Sequence, residues 1–188
     1  DTQAHSPTAY RPGTASSGAA LVAGRFGQGL QLGGPTREGY TLLDRLADMG
    51  VRTVCFHEHW TPYQSHPYTI PDHEADLSAL VEAIHAKRMQ LLLYMSRQIA
   101  DIAPEFELYG EDVLTVPSTL TYTRYPPQTD YSVCWRSHWR EFCLKGLAET
   151  MDRFGNDGWY LDGPEWPFPC TNRHHGCGYV KPDGSIGA

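Results

Sequence analysis

The run Met89-Gln-Leu-Leu-Leu-Tyr-Met95 constrains the fold more than any other part of the chain. A stretch this short and this apolar suits a strand buried on both faces, as in parallel sheets covered by helices. Two further runs read as strands: Val51-Arg-Thr-Val-Cys-Phe56, rich in β-branched residues, and Gly158-Trp-Tyr-Leu161. Helical spacing separates them. Tyr40, Leu42, Leu43, Leu46, Ala47 and Met49 mark one helix, stopped by Gly50. Leu77, Leu80, Val81, Ile84 and His85 mark a second, started by Asp72 or His73. Trp139, Phe142, Cys143, Leu147, Met151 and Phe154 mark a third, capped by Ser137 with Glu141 as a capping-box partner and ended by Gly155.

The order is therefore α-β-α-β-loop-α-β, and right-handed crossovers make the strands parallel with helices outside. An open doubly wound sheet and a (β/α)8 barrel both fit. No Gly-rich phosphate loop follows a strand, and long loops do, which favours the barrel. A full barrel needs about 250 residues, so the 188 residues read as a partial (β/α)8 TIM-type barrel, about half of one. It would stop after its fourth unit and lack the strand before residue 40. Residues 38–188 form this domain. Residues 1–37, rich in Gly, Ser and Ala, read as a flexible arm or linker with one short strand near Leu30 and Leu32. The polar, Pro-rich passage over 101–132 reads as a functional loop. Its Asp101 and Glu105 read as turn or helix-start residues. Open strand edges in a half-barrel favour a homo-oligomer.

Charge narrows the partners. The net charge is −7, and the 15 basic residues show no cluster beyond Lys87-Arg88, which argues against nucleic acid. No segment is apolar enough to span a membrane, and none reads as a signal peptide. The chain opens on Asp1 without a Met, as a processed or trimmed product would, and a secreted or periplasmic location is favoured. Aromatics make up 12% of the residues. Many lie in polar, Pro-rich stretches, where they suit a surface that stacks on sugar rings.

Asp162 is the sharpest chemical signal. It ends an apolar strand and precedes Gly163-Pro164, where a barrel places a catalytic carboxylate; an Asp before Gly is also a common turn former. Glu165, three residues on, is a candidate acid, hydroxyl ligand or surface charge. Phe56-His57-Glu58-His59-Trp60 closes the first visible strand. His57 and His59 share a face in extended chain, so they can bind a metal, hydrogen-bond a sugar or simply close the strand. Tyr94 is either core or mouth-facing. Arg136 could grip a carboxylate bidentately or anchor a neighbouring acid.

There are five cysteines, an odd number that leaves at least one thiol free. Cys55 and Cys143 lie in apolar patterns and read as inert core. Cys170, His174, His175 and Cys177 fall within eight residues. That loop could be a hydrogen-bonded scaffold, carry a Cys170–Cys177 disulfide, or bind zinc with His57 or His59 as an outside ligand. No cofactor is otherwise required.

Phe56-His-Glu-His-Trp-Thr61, Leu92-Leu-Tyr94, Asp101-Ile-Ala-Pro-Glu105, Tyr160-Leu-Asp-Gly163 and Cys170-Thr-Asn-Arg-His-His-Gly-Cys-Gly-Tyr179 together resemble a group of uncharacterised bacterial glycoside-hydrolase-like barrel proteins, related to β-N-acetylgalactosaminidase-type families. The resemblance covers roughly residues 38–186. Gly24-Arg-Phe-Gly-Gln-Gly-Leu-Gln-Leu-Gly33 is similar to the start of a laminin-G or concanavalin-like lectin domain. The main resemblance implies a glycosidase acting on a polysaccharide or glycan, with Asp162 at the end of the fourth strand as nucleophile or stabiliser. Glu165 or Glu58 would be the acid/base, and His57, His59, Trp60, Tyr94, Arg136 and Trp166 would contact sugar. Asp162-Gly163 is not the adjacent Asp-Glu pair of enzymes that use the substrate's acetamido group. His57-x-His59 also resembles the first-strand metal pair of amidohydrolase barrels, which implies a zinc-dependent hydrolase instead. A half-barrel that binds carbohydrate without turnover is the third reading.

Overall fold

A sheet whose strands follow one another in chain order organises the protein. The computed structural model describes residues 19–22, 35–37, 40–57, 60–118, 120–124, 127–163 and 169–188. Its elements are β1 (Ala19–Val22), β2 (Pro35–Arg37), β3 (Tyr40–Thr41), α1 (Leu42–Asp48), β4 (Thr53–Phe56), α2 (Pro71–Ala86), β5 (Gln90–Ser96), β6 (Gln98–Ala100), α3 (Pro104–Val113), β7 (Leu120–Arg124), β8 (Gln128–Ser132), α4 (Trp139–Phe154), β9 (Gly158–Asp162), β10 (Tyr179–Val180) and β11 (Ile186–Gly187). They form two compact units, one of residues 1–61, 69–94 and 150–160, the other of 62–68, 95–149 and 161–188.

The main sheet has the order β1-β4-β5-β9. β1 and β4 are parallel with Ala19 opposite Thr53, and β4 and β5 are parallel with Thr53 opposite Gln90. The order never reverses, so the described sheet has no switch point of the kind that defines an open doubly wound sheet. Ala19–Val22 lies inside the stretch read as an arm, and it is the strand that the sequence reading leaves missing before residue 40. The strand expected near Leu30 and Leu32 lies outside the described residues.

α1 starts where Thr41 and Asp44 cap each other: Asp44 N–H donates to Thr41 Oγ1 at 3.1 Å, and Thr41 N–H to Asp44 Oδ2 at 2.8 Å. Gly50 ends the turn with φ +81°. α2 starts with Pro71 at its first position after Ile70 and has no side-chain cap. The apolar run singled out above is β5, with Leu91 and Leu93 fully buried and Leu92 between them half-buried. With Val54, Phe56, Leu77 and Ile84 they make the core, each large aliphatic side chain contributing roughly 1.5–3 kcal/mol.

The second unit corrects the reading of 101–132 as a loop. It holds α3 and an antiparallel sheet in the order β6-β8-β7. Pro104 opens α3. Along β8 the buried positions are polar: Gln128, Asp130 and Ser132. Gln128 supports the segment 62–68 from below. Its Oε1 accepts from Gln64 N–H at 2.9 Å, and its Nε2 donates to Pro62 C=O at 3.0 Å. Asp101 Oδ1 accepts from Thr129 N–H at 2.9 Å, a tie to β8 across 28 residues of chain. His66 Nε2 lies 3.0 Å from Glu105 Oε2. The first part of α4 packs Trp139 and Phe142 here, with Phe142 edge-on to His66. Ser137 Oγ accepts from Trp139 N–H at 3.3 Å, so Ser137 does cap α4. Glu141 does not complete a capping box: its carboxylate accepts from Arg140. A short hairpin pairs β10 with β11. No described helix is long and apolar enough to cross a membrane.

Candidate functional site

Among the described residues three places carry chemistry: the end of β9, the ends of β4 and β5, and a thiol–imidazole cluster. Asp162 is the last residue of β9 and is half-buried. The next residue, Gly163, has φ +72°, and its N–H donates to Asp162 Oδ1 at 2.9 Å. A Cβ on Gly163 would come within 3.3 Å of Ser96 Oγ. The backbone turns sharply off the strand there, which leaves a carboxylate at the strand end beside Ser96, the last residue of β5. A carboxylate at a strand end can act as a nucleophile or stabilise developing positive charge. Glu165 and Trp166, its expected companions, lie outside the described residues.

His57 follows β4 directly. Its ring lies over Tyr94, with centroids 3.8 Å apart, and Tyr94 in turn lies 5.9 Å from Tyr160. The three rings form a row across neighbouring strands. Tyr94 is buried, and Tyr160, absent from the sequence-derived candidates, is 45% exposed. Trp60 departs from expectation. It is 2% exposed, belongs to the core, and its Nε1–H donates to Tyr94 C=O at 3.2 Å. Its indole packs as core, with the polar end of the ring used by the backbone. Glu58 and His59 lie outside the described residues. Arg136 is exposed in the turn before α4.

The third place is in the second unit. Cys134, Cys170, His175 and Cys177 bring one ligand atom each to within 4.8 Å of all the others. Cys134 Sγ is 3.8 Å from Cys177 Sγ, and Cys170 Sγ is 3.4 Å from His175 Nε2. Burial, then the neighbouring thiols, push Cys177 up to about 11. The membership differs from the sequence reading in one exchange. His174 turns away, more than half exposed, with Nδ1 3.2 Å from Asp112 Oδ1, and Cys134 takes the fourth place. Among the described residues the group takes in these four alone, and the five cysteines are free thiols. Cys134 lies far upstream of the Cys/His motif, and its only sequence signal is that it is one more cysteine in a polar turn.

No known family model matches the chain, and no curated protein matches it. Solved structures do. The chain is similar to a cycloisomaltooligosaccharide glucanotransferase of Paenibacillus sp. complexed with cycloisomaltoheptaose, at 12% identity and a TM-score of 0.55 over 84% of this chain and 25% of that one. It is similar to a GH31 α-xylosidase of Xanthomonas citri at 12% identity and a TM-score of 0.52, covering 75% and 16%. An α-galactosidase of Thermus thermophilus in complex with stachyose matches at 13% identity and a TM-score of 0.52, covering 75% and 31%. The chain thus spans less than a third of the length of each. At these identities the likeness is one of fold alone.

Proposed function

We propose that the chain is a carbohydrate-active, glycosidase-like protein whose sheet β1-β4-β5-β9 is the first half of a (β/α)8-type barrel. The observation that carries the reading is Asp162. It stands at the C-terminal end of the fourth strand in a sheet of unreversed order, where barrels of this type build their sites. Asp162 is the nucleophile or charge stabiliser, and Glu165 is the acid/base partner. Carbohydrate is the substrate class, and the narrower kinship to β-N-acetylgalactosaminidase-type enzymes sets one arm of the substrate panel.

The test is hydrolysis of α- and β-linked chromogenic glycosides, N-acetylgalactosaminides included, and of oligosaccharides. Asp162→Asn is expected to lower turnover on the order of 10³-fold or more, and Glu165→Gln by about 10²–10⁴-fold. Full activity in Asp162→Asn refutes the assignment. Glycan binding without turnover in the unaltered chain overturns the enzymatic reading in favour of a carbohydrate-binding module.

A further inference from the structure

The geometry points to a structural zinc-class metal site formed by Cys134, Cys170, His175 and Cys177. Four donors around one tetrahedral zinc, with Zn–S about 2.3 Å and Zn–N about 2.0–2.1 Å, stand about 3.8 Å apart sulfur to sulfur and about 3.5 Å apart sulfur to nitrogen. The observed separations are 3.8 Å for Cys134 Sγ to Cys177 Sγ and 3.4 Å for Cys170 Sγ to His175 Nε2. The remaining pairs also lie within 4.8 Å. Three cysteines in van der Waals contact could equally be apolar packing, but the histidine decides between the two. His175 Nδ1 lies 2.6 Å from Asp112 C=O. A carbonyl only accepts, so Nδ1 carries the proton and Nε2 turns its lone pair to the sulfurs. That is the outer hydrogen bond by which proteins set a metal-bound imidazole.

The surrounding loop offers the sulfurs a backbone donor. Asn172 N–H points at Cys170 Sγ at 3.5 Å. Asn172 fixes the loop through its side chain, donating to Glu111 C=O and Leu114 C=O at 2.8 Å each. Three thiolates and one divalent ion leave a net charge of −1, and the buried guanidinium of Arg97 lies close enough to Cys134 for their charges to interact. A buried cluster of that charge needs such a partner. Soft sulfur donors exclude magnesium and calcium, and the four-donor set leaves no open position for substrate. The ion would tie the end of β8 to the loop over 170–177 and, through Asp112, to α3. It would have no part in bond cleavage, so its fate and that of the glycosidase reading are separable.

The test is Co(II) and Zn(II) titration of the reduced, chelator-treated chain, with metal content measured after dialysis. One equivalent is expected, with thiolate-to-cobalt charge-transfer bands and the d–d bands of a tetrahedral site, and zinc should displace cobalt. Cys134→Ser and His175→Ala should each lose or shift those bands, while His174→Ala should keep them unchanged. A reduced wild-type chain that binds neither ion overturns the proposal without recourse to any variant. Loss of the bands in His174→Ala but not in Cys134→Ser also overturns it.

Discussion

A glycine-to-alanine change inside a helix normally stabilises a protein, and α4 should reverse that sign. Alanine is better than glycine in a helix interior by about 0.8–1.0 kcal/mol. At Gly146, however, a Cβ would lie 2.7 Å and 2.8 Å from Pro67 ring carbons and 2.8 Å from Tyr68 Cε2. Carbon pairs settle at about 3.5–4.0 Å, so the overlap is roughly 1 Å on each contact. Neither neighbour yields easily. Pro67 is a rigid ring in a segment held by Gln128, and the Tyr68 hydroxyl donates to Glu149 at 2.7 Å. Overpacking of this kind costs about 1–3 kcal/mol. The net for Gly146→Ala is a loss centred near 1 kcal/mol, or about 2–4 °C in melting temperature for a chain of this size. Gly110 in α3 is the internal control. Its added Cβ would meet only the Phe106 ring at 3.8 Å, an ordinary contact, so Gly110→Ala should gain about 0.5–1 kcal/mol. Urea unfolding of both variants at equal m-value measures the difference. If Gly146→Ala matches the gain of Gly110→Ala, the close packing of α4 against residues 67 and 68 is refuted.

Two more outcomes follow from the second unit. Burial works against ionisation of Glu105, but the hydrogen bond and charge of His66 outweigh it and hold the carboxyl below the usual glutamate value. The stabilisation is therefore present above the unfolded value of about 4.3 and is lost as pH falls through the lower folded value. Wild type should melt above Glu105→Gln at pH 7 and converge with it in acid; a gap that stays constant with pH would rule this out. Asn172→Ala removes three hydrogen bonds, two to the carbonyls of Glu111 and Leu114 and one from His174 N–H, and should cost about 3 kcal/mol. Asn172→Asp should rescue little, because a carboxylate cannot donate to those carbonyls, and thermal melts of the two variants should nearly coincide.

The parts of the fold that could be read from sequence are those where apolar periodicity and burial coincide. β4, β5, β9 and the three flanking helices follow their patterns to within a residue or two. β1 escaped because Ala19-Ala-Leu-Val22 carries too little side-chain signal, and its place is set by backbone pairing with a strand far along the chain. β8 escaped for a different reason. Its period of two is present, but the inward positions are Gln128, Asp130 and Ser132, so a rule that looks for apolar alternation sees a loop. Trp60 misled in the opposite sense, since its Pro-rich surroundings suggest a surface and its indole is core. At the candidate site Asp162 is visible because a strand end and a Gly-Pro break are local signals. The cluster was visible only in part, because the meeting of Cys134 with Cys170 and Cys177 depends on how β8 returns to the loop. His174 and His175 are indistinguishable in composition, and only the Asp112 carbonyl separates them.

Gln128 has a consequence for how this chain can vary. Its primary amide accepts from one peptide and donates to another, which is what a peptide unit of a paired strand does. The side chain thus pairs with the backbone of residues 62 and 64 as a strand would. The two bonds use only the Gln64 N–H and the Pro62 carbonyl of that segment. At position 128, glutamate keeps the shape and loses the donor, and leucine keeps the volume and loses both bonds. Among relatives of this chain, position 128 should therefore stay glutamine.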